Sequence, residues 1–289
     1  MADLTDLAVI KEVLTRHGFT FSKALGQNFL VNPAVCPQMA DACGADEQTG
    51  VLEIGPGLGV LTKELAQRAK KVVSVELDTR LLPVLSETLQ AFDNVTIVND
   101  DILKADLPAL FRQHFDGMRV VVCANLPYYI TSPVLLRLLE SGLPVEAVTV
   151  MVQKEVAQRL CAQPGSKLAG VLTVYADYYA NAELLFSVSK GSFHPMPQVD
   201  SAVVRLTMRK TPAAAVDDPQ AFFRLVKAAF SQKRKTLVNA VSSTLHLPKE
   251  AVAAAVDRCK LPPAVRAEAL TTAQFGALYD ALRGQGALG

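Results

Sequence analysis

Between Val51 and Val152 the chain alternates short apolar stretches with longer segments of helical period. Val51–Ile54, Lys71–Val75, Val95–Val98, Arg119–Cys123 and Ala147–Val152 read as strands. Leu58–Ala69, Arg80–Gln90 and Pro133–Glu140 read as helices between them. Consecutive strands joined through helices cannot pair as hairpins, so the pattern predicts a parallel sheet with helices on both faces. Ahead of it, Leu4, Leu7, Ile10 and Leu14 recur at helical spacing. This predicts an amphipathic helix over 4–17, capped by Asp3 and stopped by Gly18. The stretch 22–30 is polar and has no clear period. Beyond the alternation, 170–179 and 201–208 read as additions flanking the sheet, and 207–220, with two prolines and three alanines, as a linker. From Ala221 the pattern is helical with short loops. The expected organisation is an α/β domain over 1–208 and a small all-helical domain over 209–289.

Charge is uneven along this frame. The 289 residues carry a net +1, but 181–240 holds nine Lys/Arg against four Asp/Glu. A basic sector on a nearly neutral chain fits a polyanionic partner, and equally a solvated face. The five cysteines (36, 43, 123, 161 and 259) include no Cys-x-x-Cys pair, and the four histidines are isolated, so neither a disulfide framework nor a metal is expected. With no basic-then-apolar leader and no apolar run near the ~20 residues that span a bilayer, the expected setting is cytoplasmic.

Glu53-Ile-Gly-Pro-Gly-Leu-Gly59 follows a strand and opens a helix. Its glycines suit a sharp turn that approaches a ligand closely. The third glycine comes one position earlier than in the dinucleotide fingerprint Gly-x-Gly-x-x-Gly, which argues against a dinucleotide. Glu76 ends the next strand, 21 positions after Gly55. An acid there accepts hydrogen bonds from ribose hydroxyls. Asp100 and Asp101 follow the third strand, where a carboxylate can accept from an adenine amine; spacing leaves the two open.

The sharpest feature is Asn125-Leu126-Pro127-Tyr128, at the end of an apolar strand. The N6 lone pair of adenine is delocalised into the ring, so that amine is a poor nucleophile. Two acceptors on its N–H bonds favour a pyramidal nitrogen. The Asn125 side-chain oxygen suits one, and the Leu126 carbonyl the other, because Pro127 holds the preceding residue extended. Tyr128 can stack on the base, worth ~1–3 kcal/mol. The methylated amine is acidic as first formed, so no dedicated base is required. Residue chemistry thus predicts methylation of an exocyclic adenine amine, with S-adenosylmethionine as donor.

Six pieces in order resemble one family over nearly the whole chain. They are Leu25-Gly-Gln-Asn-Phe-Leu30, Glu53–Gly59, Val75-Glu76 with Asp101, Asn125–Tyr128, Phe193-His-Pro-Met-Pro-Gln-Val-Asp-Ser201, and Phe230-Ser-Gln-Lys-Arg-Lys-Thr-Leu237. They resemble the small-subunit (16S) rRNA adenine N6-dimethyltransferases. The resemblance implies a Rossmann-like class I methyltransferase sheet. It implies a cofactor site of Asn28, Leu30, Gly55, Glu76, Asp101 and Asn125, and Phe193 facing Tyr128 across the target base. It also implies the substrate: two adjacent adenosines in the 3′-terminal hairpin loop of small-subunit rRNA, each dimethylated on N6 by a monomeric enzyme during late subunit assembly. Tyr129 stands where many relatives carry Asn. Lys233, Arg234 and Lys235, read as the start of a helix, are expected to face RNA phosphates.

Overall fold

The computed structural model describes residues 3–19, 28–284 and 286. Leu25, Gly26 and Gln27 of the first family motif lie outside them. The chain parts into two compact units, one of residues 1–157 and 182–208, the other of 158–181 and 209–289.

In the first unit the elements run α1 (Leu7–Arg16), β1 (Phe29–Leu30), α2 (Val35–Ala42), β2 (Thr49–Ile54), α3 (Val60–Ala66), β3 (Lys71–Glu76), α4 (Leu82–Thr88) and β4 (Val95–Asn99). There follow α5 (Leu107–His114), β5 (Arg119–Asn125), α6 (Thr131–Glu140), β6 (Val145–Gln153) and α7 (Lys154–Leu160), which leads into the second unit. After α8 (Val171–Tyr179), the strands β7 (Ala180–Val188), β8 (Phe193–His194) and β9 (Ser201–Met208) return to the first unit. Seven strands form one sheet in the order β4-β3-β2-β5-β6-β9-β7. The pairs from β4 through β6 are parallel, and β9 runs antiparallel to β6. Every residue of β2 is buried, odd and even alike, so both of its faces are covered. On one face Val51, Val72, Val121 and Met151 pack with Val35, Cys36 and Met39 of α2 and Leu61 and Leu65 of α3. The predicted α/β sheet is therefore present, with its five expected strands.

Local chemistry moves several boundaries. The cap of α1 is Asp6, which accepts from Ala8 N at 2.7 Å. Asp3, the expected cap, is engaged instead by the backbone and hydroxyl of Thr5, at 2.9 and 2.6 Å. The helix after the glycine loop starts at Val60 rather than Leu58, because Gly59 holds a left-handed φ of 85°. Helix α5 buries Leu107, Leu110 and Phe111 at helical spacing and is marked by its Asp106 cap and a proline in its first turn. The edge strand β7 carries mostly exposed or half-buried side chains with no alternation, so no sequence pattern marks it.

The second unit holds α8 and, beyond residue 208, α9 (Pro219–Phe230), α10 (Leu237–Leu245), α11 (Lys249–Arg258) and α12 (Thr272–Arg283). Residues 170–179, expected to flank the sheet, instead belong with 158–181 to this unit and join its helices through aromatic packing. The Tyr175 ring stacks on Phe223 with centroids 3.6 Å apart, and Tyr178 lies 5.2 Å from Phe222. Arg209 adds a clasp, donating to the carbonyls of Asp177 and Ala180 at 3.0 and 3.1 Å. Lys233, Arg234 and Lys235 are not the first turn of a helix. They occupy the exposed turn between α9 and α10, and the cap of α10 is Thr236.

Candidate active site

Strand order decides where this sheet can bind a ligand. From central β2 the chain passes first to β3 on one side and later to β5 on the other. The connections leaving the carboxyl ends of β2 and β5 therefore diverge and open a crevice there. A cavity of about 260 Å³ occupies that place. Gly55, Gly57 and Gly59, in the turn after β2, all have positive φ (68°, 61° and 85°), a conformation open to glycine at little cost. A Cβ on Gly57 would also come within 3.4 Å of the Phe29 ring.

Each wall follows from strand parity. Pairing places Glu53 opposite Ser74 and Val75 opposite Val98, which brings the ends of β2, β3 and β4 to one edge. Glu76, the last residue of β3, is buried, and its Oε1 accepts from Asp78 N at 2.8 Å. Burial raises its pKa, opposed by backbone N–H groups of Asp78, Gly57 and Leu77, while the charge of Asp78 raises it further. Asp100 and Asp101 both line the cavity. Asp100 is exposed and accepts from Asp101 N at 2.7 Å, whereas Asp101 is half-buried and accepts from Leu103 N at 2.9 Å.

On the opposite side, Asn125 ends β5 and Leu126 N is anchored on the Met151 carbonyl at 3.2 Å. Pro127 is extended, and its carbonyl accepts from Ile130 N and the Thr131 hydroxyl as the chain turns into α6. The Tyr128 hydroxyl meets Ser201 Oγ of β9 at 2.7 Å, which fixes its ring. The remaining wall is the two-stranded sheet in which Leu30 pairs with Phe193. Phe193 is buried among Leu30, Cys36 and Met39 while also lining the cavity.

The structure therefore brings Asn28, Leu30, Gly55, Glu76, Asp101, Asn125, Leu126, Tyr128 and Phe193 to one cavity. Lys233, Arg234 and Lys235 belong to the second unit. Two further residues of the site, Tyr129 and Glu53, had no role assigned from residue chemistry. Tyr129 is 53% exposed at the lining, with a pKa raised by partial burial and then by the charges of Asp101 and Glu76. Glu53 is fully buried and accepts from the hydroxyls of Thr62 and Ser74, at 2.7 and 2.5 Å. Its side chain could have been flagged as a charge inside an apolar strand. Its partners could not, since Ser74 meets it only through β2–β3 pairing.

Burial pushes the Glu53 carboxyl up to about 7, against the two hydroxyl bonds, with Glu76 adding repulsion. The unfolded chain loses this proton near 4.5 and the folded chain near 7, so the folded form binds more protons between them. Stability is then expected to fall as pH rises through that window, by on the order of 3 kcal/mol, and to level off above it. Glu53→Gln should flatten this slope. Melting temperatures at pH 5 and 7.5 check it, and an unaltered slope in the variant would remove Glu53 as the cause.

Among the described residues there is no cluster of three or more His, Cys, Asp or Glu able to hold a metal. No helix among them is long and apolar enough to cross a membrane.

Comparison with known proteins decides the family. The model for ribosomal RNA adenine dimethylase matches residues 18–283. The chain belongs to that family. It is 48% identical to ribosomal RNA small subunit methyltransferase A of Geobacillus thermodenitrificans, over 94% of each protein. It is 47% identical to the protein of that name from Streptococcus pneumoniae, over 98% of this chain and 99% of the other. Among solved structures it resembles a dimethyladenosine transferase from Plasmodium falciparum, with TM-score 0.74 and 26% identity, over 89% of this chain and 98% of that one. It also resembles the 23S rRNA methyltransferase ErmE, with TM-score 0.67 and 28% identity, over 89% of this chain and all of the other. As a member of the dimethylase family it is an S-adenosylmethionine-dependent rRNA adenine dimethyltransferase with a Rossmann-like sheet. The cavity fits the donor chemically: carboxylates at two strand ends offer acceptors for ribose hydroxyls and an adenine amine, and the glycine turn leaves the backbone open to close approach.

Proposed function

We propose that this enzyme dimethylates N6 of two adjacent adenosines in the 3′-terminal hairpin loop of small-subunit rRNA, on the small subunit or its precursor, late in assembly and in the cytoplasm. The observation that carries the reading is the meeting of the Asn125–Tyr128 turn with Glu76 and Asp101 in one cavity. The near full-length match to proteins named for the small subunit supports the choice of RNA.

Glu76 accepts from the ribose hydroxyls of the cofactor, and Asp101 from its adenine amine. Asn28, Leu30 and Gly55 complete that half of the cavity. S-adenosylmethionine, when bound, supplies an electrophilic methyl group. Asn125 and the Leu126 carbonyl accept from the two N–H bonds of the target amine and turn its lone pair toward that methyl. The fixed ring of Tyr128 stacks on the target base, and Phe193 closes the other side. Transfer then depends on positioning and on preorganised dipoles, with no protein base.

The direct test is methyl transfer to small subunits isolated from cells lacking this activity. The expected product is two adjacent dimethyladenosines, read by arrest of primer extension. Methylation of large-subunit rRNA instead, or of neither, would overturn the proposal.

RNA affinity draws on the turn carrying Lys233, Arg234 and Lys235, all exposed. Each phosphate contact releases counterions, so replacing the three by Ala should reduce the slope of log affinity against log salt by up to about 3. Binding titrations at several salt concentrations read this directly. An unchanged slope would assign the turn to solvent.

A further inference from the structure

Helix α6 begins where the Asn125–Tyr128 turn ends, and it carries Arg137. The guanidinium of Arg137 reaches back to the loop after β4. Its Nη1 donates to the Leu103 carbonyl at 2.7 Å and its Nη2 to the Ala105 carbonyl at 2.5 Å. The same loop is wound around Asp101. The Asp101 carboxylate accepts from Leu103 N at 2.9 Å, and its carbonyl accepts from the N–H groups of Lys104 and Ala105 at 2.7 and 2.8 Å. Asp101 thus gathers the loop's N–H groups while Arg137 holds two of its carbonyls from outside.

Three features make this clasp more than a surface contact. Arg137 is half-buried, and its Nε is buried with no partner, so the loop carbonyls are the contacts that satisfy the group. Among the described residues no carboxylate pairs with it. Both contacts are hydrogen bonds from a charged donor, the stronger kind. Helix α6 is itself firmly seated, burying Val134, Leu135, Leu138 and Leu139, and Thr131 ties its start to the Pro127 carbonyl. A packed helix therefore joins the turn that carries Asn125 to the loop that carries Asp101.

We propose that Arg137 is a positioning residue for cofactor binding, holding the Asp101 loop in register with the Asn125 turn. The inference rests on the reading of Asp101 as an acceptor for the cofactor's adenine amine. Without the guanidinium the loop keeps its internal bonds but loses these two hydrogen bonds to α6, so more of the ordering of the Asp101 loop falls to the cofactor. That cost falls on cofactor binding, whereas the Asn125 turn stays anchored by Leu126 N and Thr131.

The test compares wild type, Arg137→Met, Arg137→Lys and Asp101→Ala. It measures S-adenosylhomocysteine affinity by calorimetry, together with kcat and both KM values. Arg137→Met is expected to weaken cofactor binding about tenfold, the worth of one hydrogen bond to a charged group. KM for S-adenosylmethionine should rise with it, while kcat at saturation and KM for RNA stay near wild type. Arg137→Lys keeps the charge but offers a single donor nitrogen in place of the two-nitrogen fork, and should recover part of the loss; it reads the same split if the methionine variant does not fold. A purely structural role would lower kcat, RNA binding and melting temperature together, and that pattern overturns the inference. Weaker binding in Asp101→Ala with wild-type binding in both Arg137 variants also overturns it, leaving the Asp101 assignment standing. Wild-type binding in Asp101→Ala overturns the Asp101 assignment and the inference with it.

Discussion

Asn125→Ala is expected to lower kcat about 10²–10³-fold, the usual cost of deleting one preorganised hydrogen-bonding group at a reacting centre. The reason lies in what the side chain faces. Asn125 is the last residue of β5, at the crevice edge, and the residue after it is anchored on Met151 of β6. Truncation therefore removes an acceptor without loosening the turn. Melting temperature should remain near wild type, since the backbone anchor of the turn on Met151 is kept. Asn125→Asp keeps an oxygen at the same reach and should retain more activity than the alanine variant. Single-turnover methyl transfer with the RNA substrate measures both. Undiminished transfer in Asn125→Ala would falsify the acceptor role.

Glu76→Ala should have the next largest effect, on binding rather than chemistry. A carboxylate accepting two ribose hydroxyls contributes two charge-assisted hydrogen bonds, so affinity should fall about 10²–10³-fold. The buried Glu76 carboxyl also receives N–H groups from Asp78, Gly57 and Leu77, and its removal disturbs the glycine turn. Glu76→Gln separates the two effects. It keeps size and one acceptor, and should bind the cofactor with intermediate affinity. Because burial raises the Glu76 pKa, wild-type affinity should weaken as pH falls and the carboxylate gains a proton. The glutamine variant should lose that dependence. Calorimetry across pH reads both, and equal affinity in all three proteins would exclude ribose contact by Glu76.

Much of this architecture is legible in the chain because it depends on near-neighbour chemistry. The strand-helix period is set by side chains a few positions apart. The glycines at 55, 57 and 59 announce themselves because only glycine adopts three positive φ values in so short a turn at little cost. Asn125, Pro127 and Tyr128 are contiguous, so their joint geometry is written in consecutive residues. The family resemblance extended the reading to Asn28, Asp101 and Phe193, which local pattern alone did not connect.

Other features depended on distant partners. Sequence charge placed Lys233–Lys235 at a helix start, but the helix begins only where Thr236 can cap it. Residues 170–179 look like an addition to the sheet until Tyr175 and Tyr178 are seen stacked on Phe223 and Phe222. The exposed edge strand β7 has no alternating pattern to reveal it.

The sequence by itself determined a parallel α/β sheet, a glycine turn after its first main strand, and an Asn-Leu-Pro-Tyr corner at a strand end, because each is encoded in residues adjacent along the chain. Only the tertiary structure decided that Glu53 is a buried carboxyl held by Thr62 and Ser74, that Asp101 rather than the exposed Asp100 is half-buried at the crevice, and that Arg137 clasps the Asp101 loop. Those outcomes require strand order and register to bring together groups from nine to 34 residues apart, and local sequence does not specify such meetings.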